Sequence, residues 1–377
     1  MSILNGGVQL SLHIGPVPIA APREVVESLV QARVESGAGD TQSGFELTFE
    51  LPARSPLRTL FLLTGGGSVP LMRVVLVVTI NGSAESIIDG VTTHVETQPG
   101  QGGVAKLVVK GKDLSALMDI IELPGLPFPA MPPSARVLLV LAKYAALGVI
   151  PLVIPSILDI PPLPIQQIPQ QRGSDYAYVK RLAGEAGYVF YLEPGPTPGT
   201  SKAYWGPEIR VGAAQPALTT GMDALSNVEQ LSFTFDKERK TMPIVFFQES
   251  VSKVPIPIPI PDITPLNPPL GLVPPLPPKI EKLDNTAHLS APQALMAGLA
   301  YASQHSDSVF GNGRLDVAKY GRLLKSRQLV GVRGAGLPFD GLYYVNRVTH
   351  EIERGSYRQN FSLARNALLS TVPTVPV

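Results

Sequence analysis

Cysteine is absent from the 377 residues, which excludes disulfides, thiolate metal sites and cysteine nucleophiles together. Charge is sparse and balanced: 31 basic and 30 acidic residues amount to 16% of the chain, and no basic run stands out, so no nucleic-acid partner is expected. Residues 1–15 lack the basic stretch, continuous apolar core and small-residue cleavage site of a signal peptide. An uninterrupted apolar run of membrane length is also missing. The best candidate, 137–160, carries Lys143 in its middle, then Pro151 and Pro155, and Asp159 near its end. It reads as a buried helix followed by an irregular apolar stretch, not as an integral membrane span. What is plentiful is apolar: 44% of residues are hydrophobic. Beside so little charge, that share fits a surface closed by other subunits better than one left to water. The length allows two or three domains with real cores.

Strand signals dominate the first 125 residues. Phe45, Leu47, Phe49 and Leu51 alternate with polar neighbours, Val74, Leu76, Val78 and Ile80 lie in a more uniformly apolar run, and Ala105, Leu107 and Val109 alternate again before Lys110-Gly111-Lys112. Asn81-Gly82 is a hairpin turn signal, and Asp89-Gly90 and Pro99-Gly100 read as further breaks. Antiparallel β structure, a barrel or a sandwich, follows from this punctuation. The middle changes period. Ser134 is placed to cap a helix running to about Leu147, with Val137, Leu138, Leu141 and Ala145 on one side and Gly148 at its end. Ser174 is placed to cap a second, with Tyr178, Leu182 and Ala186 at helical spacing and Gly187 as the stop. Strands are expected at 189–192, 231–235 and 244–247, and a helix from Pro292 to Gln304.

Residues 253–279 are a separate case, with eleven prolines from Pro255 to Pro278, Ile, Leu and Val between them, and almost no charge. Proline denies this segment helix and sheet-centre positions and favours an extended polyproline II path. Its apolar residues need cover, from the chain's own insert, from a neighbouring subunit or from a proline-reading module.

Little points to catalysis. His13, His94, His288, His305 and His350 are scattered, with no helical His pair and glutamate to hold zinc. His350 and Glu351 fall on a strand and point to opposite faces, which favours a structural His350. A Gly-x-Ser-x-Gly elbow is missing, Gly65-Gly66-Gly67-Ser68 lacks the lysine and helix of a phosphate loop, and Gly331 to Gly336 lacks the unit that would make it a nucleotide fingerprint. Asp316 and Asp340 could serve as acid and base, but capping and turn formation explain carboxylates in such places. Trp205 fits a core aromatic or an interface anchor. No catalytic, cofactor-binding or metal-ligating residue is therefore assigned, and no cofactor or enzymatic activity is expected.

The C-terminal residues 313–366 read as a short helix followed by strands, with Leu323, Leu324 and Leu329 on its apolar side. Asp340-Gly341 makes a turn, Tyr343, Val345 and Val348 sit on a β-rich run, and Gly355 breaks it. Tyr357, Gln359, Phe361 and Leu363 share one face of the closing strand, opposite Arg358, Asn360 and Ser362. Together with the block 173–191, Tyr204-Trp205-Gly206-Pro207, and the stretch 227–236, this order resembles the baseplate hub proteins of contractile injection systems. These are the late control protein D family of contractile-tailed phages, the hub part of type VI secretion spike proteins, and the hubs of extracellular contractile injection particles.

The resemblance implies a mainly β chain with an α+β insert: two related tube-like β-barrel domains whose three copies form a trimeric pseudo-sixfold ring. On it, residues 1–125 are the first tube-like β domain, 130–200 with 280–320 the insert, 203–250 with 325–365 the second β domain, 253–279 a proline-rich apolar loop, and 366–377 a tail. The implied function is structural, adapting a hexameric inner tube to a trimeric spike. Implied partners are two more copies of the chain, a separate spike protein, the inner tube protein and other baseplate proteins. Assembly would take place in the cytoplasm within a phage tail-like particle, which some systems release. Two other classes stand beside this reading: a monomeric β-rich peptide- or surface-binding module, and a tail-associated hydrolase.

Overall fold

The computed structural model describes residues 2–4, 7–52, 55, 61, 71–99, 104–122, 125–156, 159–165, 168–221, 226–248, 254–260, 266–275, 279–283 and 291–372. In chain order, the first half comprises β1 (Ser2–Leu4), β2 (Val8–Gly15), β3 (Ile19–Ala20), α1 (Arg23–Ser28), β4 (Leu29–Gly37), β5 (Gly44–Pro52), β6 (Arg73–Ile80), β7 (Ser83–Pro99) and β8 (Val104–Asp113). An α/β unit follows: α2 (Ser115–Met118), α3 (Pro133–Ala142), β9 (Val149–Val153), α4 (Asp175–Ala186), β10 (Val189–Pro194) and β11 (Ser201–Gly206). The remainder holds β12 (Gln215–Thr219), β13 (Val228–Phe235), β14 (Thr241–Gln248), β15 (Pro255–Pro259), β16 (Gly271–Val273), β17 (Lys279–Lys282) and α5 (Ala291–Gln304). Last come β18 (Val309–Asp316), α6 (Val317–Tyr320), β19 (Leu329–Arg333), β20 (Gly341–Glu353), β21 (Ser356–Arg365) and β22 (Leu368–Ser370).

The chain is mainly β, and one large sheet takes strands from both ends of the sequence in the order β1-β2-β6-β7-β8-β5-β4-β20-β21-β18-β13. The joint is β20. Its first residues, Gly341 to Tyr344, pair with β19, and after a bulge beyond Val345 the stretch from Arg347 to Glu353 pairs with β4, while β21 runs along the other edge. Two closed barrels are therefore not what the described strands form: the halves join each other through β4 and β20, and the path ends at β1 and β13. Beneath the sheet lies one core to which both halves contribute, including Val34, Leu47, Phe49, Leu76 and Val109 from the first and Tyr343, Val348, Tyr357, Phe361 and Leu363 from the second.

Turn and cap chemistry explains most boundaries. Asn81 and Gly82 take φ of 49° and 82°, the left-handed pair that a tight hairpin between β6 and β7 requires. Asp89-Gly90 is no break: β7 runs straight through it. Gly90 is needed because a Cβ there would stand 2.2 Å from the Lys112 carbonyl of β8, and Asp89 because it is the buried partner of Arg73, at 2.6 Å. Arg73 also donates to the Gly199 carbonyl at 2.8 Å, tying the first half to the α/β unit.

Ser174 caps α4 as expected, accepting from the Ala177 amide at 3.1 Å, and Gly187 ends it at φ 70°. Ser134 does not cap α3. Pro132 precedes that helix, and Ser134 lies in its first turn, donating its amide to Asp159 at 2.9 Å and its hydroxyl to the same carboxylate. The helix stops at Ala142, and a short 3-10 turn leads to Gly148 at φ 77°. At ten residues α3 is too short to cross a bilayer, and among the described residues no helix is long and apolar enough to do so. Phe128, Val137, Leu141, Tyr178, Phe190 and Trp205 form the core of this unit.

Two further expectations change. Residues 255–259 run as an edge strand against β14, not as polyproline II, because every second residue, an isoleucine, still carries the N–H that a ladder needs. Residues 309–316, which the resemblance groups with the insert, pair with β13 and β21 in the large sheet. Elsewhere in the 280–320 stretch, β17 pairs with β14 in a separate small sheet, and α5 packs over Val245 and Ile260. Near the C-terminus, the short helix is the four residues of α6, and Leu323 and Leu324 are buried on irregular chain after it.

Candidate functional site

The outer face of the large sheet is where the two halves make something neither makes alone. Cross-strand partners share a face, and the register lines up His94, Lys110, Glu46, Arg33, Glu351, Arg358 and Asp316 on β7, β8, β5, β4, β20, β21 and β18. From Lys110 onward the charge alternates at every step. Within the row Lys110 meets Glu46 at 3.2 Å, and ion pairs continue off it: Arg347 to Glu35 at 3.2 Å, Arg314 to Glu351 at 3.9 Å and Arg358 to Glu229 of β13 at 3.2 Å. Arg314 also donates to Asn360 at 2.8 Å, and Gln31 to Glu353 at 3.1 Å. Pairs this exposed contribute little to stability, about 0–1 kcal/mol each. Their consequence is a hydrated surface along which the charges of the row cancel.

One residue from Glu351, the chain turns the other way. His350 is buried, its Nδ1 2.7 Å from the Tyr357 hydroxyl and 3.4 Å from the Gln359 amide nitrogen. Gln359 accepts from the Leu324 amide at 3.0 Å and donates to the Leu324 carbonyl at 2.9 Å, which clamps the chain after α6 onto the sheet. Burial lowers the His350 pKa to about 4, so the ring is neutral at pH 7 and its Nδ1 shares a hydrogen bond with the Tyr357 hydroxyl. The structural role expected of His350 is thus what its surroundings provide. His350 also lines a cleft of about 430 Å³ between the sheet and the β10–β11 hairpin. Charges at its rim satisfy one another, Lys325 with Glu85 at 2.7 Å and Lys202 with Glu193.

No protein-family model matches the chain, and no curated protein matches it. Solved structures do. A tail protein from Neisseria meningitidis MC58 superposes with a TM-score of 0.63 at 13% identity, covering 95% of this chain and 97% of its own. The 43 kDa tail protein of prophage MuSo2 from Shewanella oneidensis gives 0.62 at 13% identity, with 96% and 99% covered. A type VI secretion system component of E. coli gives 0.53 at 12% identity, with 97% and 78% covered.

The chain shares its fold with these tail proteins.

Within this fold, the other residues singled out by sequence are occupied structurally. Asp316 accepts from the Ala318 and Lys319 amides as the cap of α6, and Asp340 accepts from the Ala335 amide at 2.8 Å in the β19–β20 turn. The two are not brought together in a cleft with a third acid or base. Gly334 and Gly336, at φ 81° and 96°, shape that same turn, and a strand follows where a nucleotide fold would need a helix. Trp205 is buried in the core of the α/β unit, edge-on to Tyr188 at 4.9 Å. Gly65 to Ser68 and His288 lie outside the described residues. Among the described residues no three His, Asp or Glu side chains gather as metal ligands.

Sequence reading missed the arginines that hold the parts together. Arg210 meets Asp307 at 2.7 Å and lies over the Tyr344 ring at 4.8 Å, while Arg327 stacks on Tyr191 of β10 at 3.8 Å. Arg365, fully buried, donates to the Asp340 and Pro338 carbonyls and covers Tyr343. No local pattern marks these arginines, because Asp307, Tyr344, Tyr191 and the carbonyls that Arg365 meets are distant in sequence.

Proposed function

We propose that this chain is the baseplate hub of a contractile injection machine, adapting a hexameric inner tube to a trimeric spike. The observation that carries the reading is the charge-alternating face. It runs without interruption from β8 to β18, so the first half and the last third of the chain offer one joint wall. Three such open, two-part sheets set side by side make a closed tube with six similar segments, matching sixfold symmetry above and threefold below. A neutral, hydrated wall suits a conduit that must not hold what passes through it. The fold shared with phage tail proteins and with a type VI secretion component along nearly the whole chain supports the same role.

On this reading the chain acts without catalysis, as a homotrimer in contact with tube, spike and other baseplate proteins. It is assembled in the cytoplasm within a phage tail-like particle. The test is the mass of the purified protein in solution by light scattering, alone and with its spike partner. We expect about three times the 40.2 kDa chain, alone or once the spike is added. A monomer under both conditions overturns the reading in favour of a monomeric binding module.

A further inference from the structure

The small sheet β15-β14-β17 ends in a strand of alternating sequence, Pro255, Ile256, Pro257, Ile258 and Pro259. The register sets Ile258 against Val245 and Ile256 against Phe247, and one step beyond the strand the Ile260 amide donates to the Pro243 carbonyl at 3.0 Å. Backbone groups of successive residues point to opposite edges of a strand. Ile256 and Ile258 therefore direct their N–H and C=O the same way as Ile260, into the sheet. The prolines face the other edge, where each offers a carbonyl and none has an N–H. Side chains follow the same alternation: Ile258 and Ile260 pack with Val245 against Ala294, Leu299 and Ala302 of α5, while Pro257 and Pro259 are exposed. Gly298 lets α5 approach, since a Cβ there would stand 2.4 Å from Val245.

We propose that β15 is an acceptor-only edge, built so that an uncharged strand can end a sheet without recruiting another strand. An extended segment with Val254 54% exposed and Ile256 39% exposed is the kind of edge that another chain extends. At the opposite edge, β17 carries Lys279, Glu281 and Lys282, charges that discourage pairing. β15 has no charge, so its protection falls on the prolines. Strand addition needs donors and acceptors from both edges, and here the receiving edge lacks every donor. The incoming carbonyls would lose water and gain nothing. This inference stands whether or not the chain is a hub.

The experiment is the triple variant Pro255→Val, Pro257→Val, Pro259→Val in the full chain, which restores three outward amides and leaves the inward isoleucines alone. Light scattering over a concentration series should show its mass rising past that of the unmodified protein, by roughly a doubling or more. Hydrogen exchange resolved to this segment supplies the second readout. At the lowest concentration, where the masses agree, the Ile256 and Ile258 amides should stay protected and the new amides should exchange freely. An unchanged mass with Ile256 and Ile258 still protected overturns the proposal. So does protection of the new amides at the lowest concentration, which would mean that the prolines face a partner within the chain. Pro257→Val alone, in the middle of the strand, is the second variant in case the triple one loses its fold. It is expected to give a smaller rise by the same readouts, and no rise overturns the proposal.

Discussion

His350 is neutral in the folded chain because burial holds its pKa near 4, whereas in the unfolded chain it titrates near the ordinary value of 6.5. A depressed folded pKa contributes stability that is present above the unfolded value and is lost as pH falls from about 6.5 through 4. The expected size is about 3 kcal/mol between neutral pH and pH 4. Denaturant unfolding of the unmodified chain and of His350→Gln, each at pH 7 and pH 4.5, measures it. The difference in stability between the two pH values should shrink in the variant, and an equal difference in both would show that His350 does not titrate as described. Sequence alternation could show that His350 faces inward and Glu351 outward. That Tyr357 and Gln359 receive the ring, and that Gln359 also holds Leu324, depended on β20 and β21 meeting in one register.

At the scale of the element, α3 shows how a correct helix can have the wrong cap. Ser134 stands where a capping serine belongs, but Pro132 and Pro133 already begin the helix, and the free amide at Ser134 is met by Asp159 from beyond β9. A carboxylate at a helix N-terminus both accepts the amide and opposes the helix dipole. Asp159→Ala should therefore lower stability by about 1 kcal/mol. The midpoint of thermal unfolding checks this, and an unchanged midpoint would leave α3 held by packing alone. Neither Asp159 nor its distance from the helix is marked by a local motif, which is why sequence alone assigned the cap to the nearest serine. The proline segment errs for a related reason. Composition shows that its residues are extended, but whether an extended chain stands alone or joins a sheet depends on β14 being beside it.

For the whole molecule, the charge row makes a prediction that a collection of separate surface pairs would not. Arg33 lies between Glu46 and Glu351, one from each half of the chain. Arg33→Glu would place three carboxylates side by side across β5, β4 and β20, and should cost about 1 kcal/mol at low salt. The cost should fade near 1 M salt, where screening acts within about 3 Å. Denaturant midpoints at the two salt concentrations test this, and a salt-independent loss would point to packing instead. Solution mass should stay that of the unmodified protein if this face lines a conduit, since it then takes no part in contacts between copies.

Alternation along single strands made the β content, the buried faces of β5, β6, β8 and β21, and the positions of α4 and α5 legible in the sequence, because periods of 2 and 3.6 residues are local properties. Glycine and serine at α4, and Asn81-Gly82 at the β6–β7 hairpin, were legible for the same reason: they act within one turn. What only the tertiary structure decided is pairing between distant segments. β4 meets β20 across more than 300 residues of chain, turning two patterns of polar residues into one alternating wall, and Arg73, Arg210 and Arg365 find partners that no spacing announces. Side-chain period is a consequence of backbone geometry and travels with the sequence, whereas register between strands is set by which segments the packed core brings together.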